Sequence, residues 1–386
     1  GGPTSDHSRG LRRWNRGVEG ITMKRVLFIT NYPSPYRVNF YDELGKYLDV
    51  TVLFADRIEQ KVTRDAAWFE KSQGRFHMVQ LKKRILTVHG RDLCTDVADW
   101  LRKDFDAIVV CGYSSPTAVW AMAWMRLHGI PFYMEVDGGL IRPDSNLKYR
   151  IKKALVTLPD GWISSGRFTT KYLAHYGAEE AKIQHYPFSS LWERDIPSQV
   201  PAAAEKQELR RKLKMPEENI VVSVSRFIPS KRLDMLIHSA AQLGKTVGIY
   251  LIGGEPTEEY LRIQKEYGAD NVHFIGFLKK DSLTEYYRAA DLFALPTQSD
   301  VWGLVINEAM AQGLPVVTTD KCVAGLELIE NGKNGYIIPV DDNAALTEAI
   351  RTVFASDHAA MGAAALETIR PYTIENMAKA HVEIFS

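Results

Sequence analysis

The chain has 386 residues, 45% hydrophobic and 25% charged, with a formal net charge of +1. That length suits two domains better than one core, and the near-neutral balance argues for neither nucleic acid nor an acidic partner. Cys94, Cys111 and Cys322 stand far apart without a CxxC, and no run of 18 apolar residues occurs; this excludes structural zinc and a membrane-spanning helix, and points to a reducing compartment.

Residues 1–22 hold four Arg, five Gly and two acids, with almost no apolar periodicity. They lack the apolar stretch of a secretory signal and read as a leader or disordered arm. From Met23 short apolar runs alternate with amphipathic segments. Strands are expected at Arg25–Thr30, Val50–Phe54, Ala107–Cys111, Pro131–Val136, Gly161–Ser164 and Lys182–His185. Helices are expected through Leu48, over Thr117–His128, and as a basic amphipathic segment over Lys148–Leu158. This is a parallel, doubly wound rhythm.

Pro197, Pro201 and Pro216 interrupt it, so 191–215 reads as a linker ending in a helix. The alternation then restarts, with strands at Ile220–Ser225, Val247–Ile252, Val272–Ile275, Leu292–Leu295 and Pro315–Thr318. Helices are expected at Arg232–Leu243, Thr257–Tyr267, Ser282–Ala290, Leu304–Gln312, Ala344–Ala355 and Ala359–Thr368. The expected architecture is α/β, with two Rossmann-like domains (23–190 and 216–370) facing a cleft. Residues 371–386 form a last helix returning to the first domain. Ligands then belong at strand C-terminal ends facing the cleft.

The chemistry gathers at those ends in the second half. Arg226 and Lys231 flank a strand-to-helix loop, where two cations can neutralise a diphosphate; a solvated basic loop is the other reading. Gly253-Gly254 follows the next strand and admits phosphate or sugar against the backbone, or is an ordinary turn. In S-D-V-W-G-L-V-I-N-E, Asp300 and Glu308 stand eight residues apart around a helix start. Free amides at Val301, Trp302, Gly303 and Leu304 suit an anion. The two carboxylates suit sugar and ribose hydroxyls. The competing reading is a helix cap.

The order of these motifs resembles the retaining GT-B glycosyltransferases of family 4, the glycosyl transferases group 1, most strongly from Ile220 to Val340. The resemblance implies transfer of a sugar from a nucleotide diphosphate sugar, with UDP favoured, to a hydroxyl of a glycan or lipid-linked acceptor. Cell-surface polysaccharide or glycoconjugate synthesis is the implied setting. By the same resemblance Arg226 and Lys231 hold the diphosphate and Asp300 the donor sugar. Glu308 takes the ribose, and main chain at Phe277 and Leu278 meets the base. The resemblance implies no cofactor and no metal. Tyr36, Arg37 and Glu135 or Asp137 fall on the acceptor side, with Asp137 favoured at the reaction centre.

The chain departs from the family pattern. Asp300 replaces Glu, Trp302 replaces a smaller aromatic, and the loop Asn31–Arg37 lacks a glycine pair. Met134–Gly139 offers carboxylates where many members have His. Asp104-Phe105-Asp106 mimics a metal motif but precedes its strand, so it reads as a surface turn. His89-Gly90-Arg91-Asp92 either lines the cleft or is structural. The basic helix is either a solvated face or a peripheral contact for an anionic membrane. The expected location is the cytoplasm or the inner membrane face. An epimerase or hydrolase on the same fold, and a non-catalytic binder, are the alternatives.

Overall fold

The computed structural model describes residues 23–56 and 74–386; the segment read as a leader or arm lies outside them. The first sheet contains β1 (Arg25–Thr30), β2 (Asp49–Phe54), β3 (His77–Gln80), β6 (Ala107–Cys111), β7 (Tyr133–Val136), β8 (Gly161–Ser164) and β9 (Ile183–His185). Its order is β3-β2-β1-β6-β7-β8-β9, and every pairing is parallel. A hairpin, β4 (Arg84–Val88) and β5 (Arg91–Cys94), stands outside that sheet. The second sheet contains β10 (Asn219–Val224), β11 (Val247–Ile252), β12 (Val272–Ile275), β13 (Leu292–Leu295), β14 (Val316–Thr319) and β15 (Gly335–Ile338). It is also parallel, in the order β12-β11-β10-β13-β14-β15.

The central strands read as continuous apolar runs because helices cover both faces. Val221 and Leu251 pack to one side, and Val222 and Ile252 to the other. Strand order reverses between β1 and β6 and between β10 and β13. Those two reversals are the crevices in which open parallel sheets bind ligands.

The domains are held together by specific contacts. Helix Ile374–Ile384 packs on helix Pro35–Leu44 of the first domain, where the His381 ring lies tilted 4.7 Å from that of Phe40. Trp302 meets Phe188 edge-on at 5.4 Å. Glu327 of the second domain accepts from the amides of Arg167 (3.0 Å) and Phe168 (3.4 Å), supplying the N-terminal cap of helix Arg167–His175. Within the stretch read as a linker, Ala203–Leu213 is a helix bound to the second domain. Its Lys206 and Arg210 reach Asp291 at 2.9 and 2.5 Å. No helix of the described residues is long and apolar enough to cross a membrane.

Candidate active site

On the first domain, the loops after β1, β6 and β7 enclose a cavity of about 380 Å³. Asn31, Tyr36, Tyr113, Asp137 and Tyr172 line it, and Val301 of the second domain closes one side. The approach is close: a Cβ on Gly138 would fall 1.7 Å from the Val301 carbonyl oxygen. The Tyr113 and Tyr172 hydroxyls hydrogen-bond to each other at the wall.

A buried charge cluster forms part of this cavity's lining. Arg37 projects from the first turn of its helix and donates to Glu135 and Asp137. His381 Nε2 lies 3.0 Å from the other Glu135 oxygen. Burial alone would raise the Glu135 pKa, but Arg37 and His381 outweigh it and bring it down to about 2. Burial disfavours the Arg37 cation, yet Asp137 and Glu135 hold its pKa well above the ordinary value. Asp137 Oδ1 also accepts from Tyr186 at 2.7 Å. Its Oδ2 accepts no hydrogen bond from the described residues, and the side chain remains partly exposed.

Across the cleft, the loops after β10 and β13 are tied together. Ser230 carbonyl oxygen accepts from the amide of Gln298 at 2.8 Å and the hydroxyl of Thr297 at 3.2 Å. Lys231 Nζ donates to Asp300 Oδ2 at 2.5 Å. Arg226 is exposed and has no ion-pair partner among the described residues. Helix Leu304–Ala311 begins at Gly303, whose φ of 101° is strained for any residue with a side chain. A Cβ there would also fall 2.7 Å from Cys322 Sγ. Among the described residues, the amides of Trp302, Gly303, Leu304 and Val305 donate to no protein acceptor. A helix start with unpaired amides, close to the Lys231 cation, attracts anions.

A second cavity, of about 770 Å³, lies on the other side of this loop. Phe277, Leu278, Lys280, Tyr287, Leu304 and Glu308 line it from the second domain, and Pro35, Tyr36 and Asn39 from the first. Tyr36 lines both cavities. Glu308 accepts from the Tyr287 hydroxyl at 3.2 Å. Burial pushes its carboxyl up to about 7, despite the Tyr287 hydrogen bond and the Lys280 charge.

Residues 205–367 match the family model described as glycosyl transferases group 1. The C-terminal domain belongs to that family. Sequence relatives include a D-inositol 3-phosphate glycosyltransferase of Kribbella flavida, 31% identical over 46% of this chain and 44% of the relative. Another is a GDP-mannose-dependent alpha-(1-6)-phosphatidylinositol monomannoside mannosyltransferase of Mycolicibacterium smegmatis, 31% identical over 51% of this chain and 54% of the relative. The chain thus spans about half the length of the curated relatives it matches, or less. Anabaena HepE in complex with UDP aligns with a TM-score of 0.73 at 19% identity, covering 94% of this chain and 99% of that one. A glycosyltransferase from Rickettsia africae aligns with a TM-score of 0.74 at 14% identity, covering 95% and 98%. The fold is GT-B.

Within this group 1 domain, Lys231, Asp300 and the amides from Trp302 onward belong to the loops after β10 and β13, where strand order reverses, and Arg226 is exposed in the first of those loops. Glu308 faces the second cavity with Phe277 and Leu278. Gly253 and Gly254 follow β11 beside Ser225 and the Phe227 ring. The Trp302 side chain is 3% exposed, packed against Phe188 of the first domain. Its Nε1 donates to Asn307 Oδ1 at 2.9 Å, and Asn307 Nδ2 donates to Phe188 carbonyl oxygen at 3.1 Å. That interdomain wedge accounts for the large aromatic. Arg37, Glu135 and Asp137 all line the cavity; Arg37 and Glu135 are buried against one another, whereas Asp137 is partly exposed. Asp106 of the Asp-Phe-Asp turn accepts from the Arg25 amide at 2.7 Å, at the N-terminal ends of the central strands β1 and β6, opposite the strand ends that carry the cavity. Tyr113, Tyr172, Tyr287 and His381 were not singled out in the sequence. Only Tyr113 carried a signal, its place in the G-Y-S-S-P turn after β6.

Proposed function

We propose that this chain transfers a sugar from a nucleoside diphosphate sugar to an acceptor hydroxyl, with retention at the anomeric carbon. One observation carries the reading: the Lys231–Asp300 pair and helix-start amides that meet no acceptor among the described residues stand opposite a hydroxyl-lined cavity, with Arg226 exposed just after β10. The diphosphate lies on Arg226, Lys231 and the amides, and Asp300 takes donor-sugar hydroxyls. Glu308 takes the ribose, with the base near Phe277 and Leu278. The acceptor enters beside Tyr36 and Asp137. The anomeric carbon–oxygen bond to the diphosphate breaks while the acceptor oxygen attacks from the same face. The acceptor proton passes to the departing phosphate oxygen, and the two cations stabilise the charge formed there without a metal.

Uridine is the proposed base, in keeping with the UDP-bound HepE structure; the GDP-mannose-dependent relative makes guanosine the comparison to run. We place the protein in the cytoplasm, working on cell-surface glycoconjugates. Helix Asn146–Val156 exposes Leu147 and Ile151 one turn apart among Lys148, Arg150 and Lys153. This helix is the proposed contact with an anionic inner membrane face. Co-sedimentation with anionic vesicles that survives Leu147→Glu with Ile151→Glu would refute that contact.

Arg226→Ala should weaken donor binding ten- to a hundredfold, as expected for a lost charge-assisted contact. Donor affinity and transfer rate both unchanged in Arg226→Ala with Lys231→Ala would refute the site. Turnover of the donor with no acceptor dependence would indicate a hydrolase, and inverted product would exclude retention.

A further inference from the structure

A groove of about 520 Å³ opens beside the acceptor cavity, between the hairpin β4–β5 and helix Pro116–Leu127. Cavity and groove share a wall, because Tyr113 and Ser114 line both. Their linings differ in kind. The cavity gathers asparagine, carboxylate and tyrosine groups, whereas the groove presents Val88, Leu93, Val119, Trp120 and Ala123. Val88 and Trp120 are each 41% exposed, and the hairpin also exposes Ile85 and Leu86. Contiguous apolar surface of this kind marks a binding site more often than single exposed residues do.

Arg91 stands at the shared wall. It belongs to the His89–Asp92 turn, lines the groove and donates from Nη1 to Ser114 Oγ at 3.0 Å. A cation and a hydroxyl therefore mark the point where polar lining changes to apolar lining. A wholly polar glycan would leave the apolar wall wet. An amphiphile matches both halves, with its hydroxyls in the cavity, its polar linkage near Arg91 and Ser114, and its chain along helix Pro116–Leu127.

We propose that the groove holds the hydrocarbon chain of a lipid-type acceptor whose hydroxylated head occupies the adjoining cavity. This rests on the cavity being the acceptor pocket. The probe is a series of methyl, butyl and hexyl glucosides below micelle-forming concentrations. They are titrated calorimetrically into the full chain saturated with UDP. Each methylene reaching the groove is worth about fourfold in affinity, so hexyl, longer by two, should bind about sixteenfold tighter than butyl. Trp120→Ala and Ala123→Glu, both at exposed helix positions, should flatten that step to less than about twofold, with thermal melts verifying that each variant is folded. A flat series in the unaltered chain, or the same slope in both variants, overturns the proposal. UDP is titrated first into the unliganded chain: absence of UDP binding refutes the donor site, while the chain-length slope decides the groove.

Discussion

The Glu308 carboxyl offers the sharpest prediction. Burial raises it to about 7, and Tyr287, Lys280 and Asp195 are the groups that bear on its charge. Ribose hydroxyls donate to a carboxylate, so the donor should bind the ionised form. For a group titrating at about 7, the competent fraction rises from about a tenth at pH 6 to about nine-tenths at pH 8. Donor affinity should therefore increase about tenfold over that range. A nucleotide sugar is the ligand to use, because its diphosphate has no proton titrating there. The free protein should show the opposite trend. The raised carboxyl contributes stability that is fully present below its unfolded pKa of about 4.5 and lost as pH rises through about 7. Isothermal titration at several pH values, with Glu308→Gln as the comparison, tests both effects. Affinity that stays flat in the unaltered chain, or a pH dependence that persists in Glu308→Gln, would refute the assignment.

Arg37→Ala strands Glu135 and should cost about 3–5 kcal/mol in denaturant unfolding, the usual loss when one partner leaves a buried ion pair. A higher acceptor KM at unchanged stability would instead make Arg37 an acceptor ligand. Asp300→Glu lengthens the acid opposed to Lys231, and should change relative kcat/KM between two sugar nucleotides by at least about fivefold. An unchanged preference would reduce Asp300 to a helix cap. Trp302→Phe leaves Asn307 Oδ1 without its indole donor and should destabilise the fold by about 1–3 kcal/mol. Thermal melting checks this, and an unaltered midpoint would remove Trp302 from the interdomain contact.

The strands that were legible, such as Ala107–Cys111 and Val247–Ile252, are buried on both faces, so burial wrote itself into a continuous apolar run. β3 was not legible because none of its four residues is fully buried. The hairpin strand β4 was hidden for a similar reason, with four of its five residues exposed. Helix Arg167–His175 carries no local cap, because Glu327 supplies it from 160 residues away. In the second domain the binding motifs sit where each strand runs into its helix, so neighbouring residues kept chemistry and position together.

The sequence by itself determined the two-domain alternation and the order of charged and glycine-containing loops at strand ends. These depend on neighbours along the chain. The tertiary structure decided what each charge meets. It buried Arg37, Glu135 and His381 together across 98 and 246 residues, and it turned Trp302 into an interdomain wedge. It also enclosed Glu308 enough to bring its ionisation near neutrality. Desolvation and pairing are set by whatever folds around a group, and spacing along the chain does not encode them.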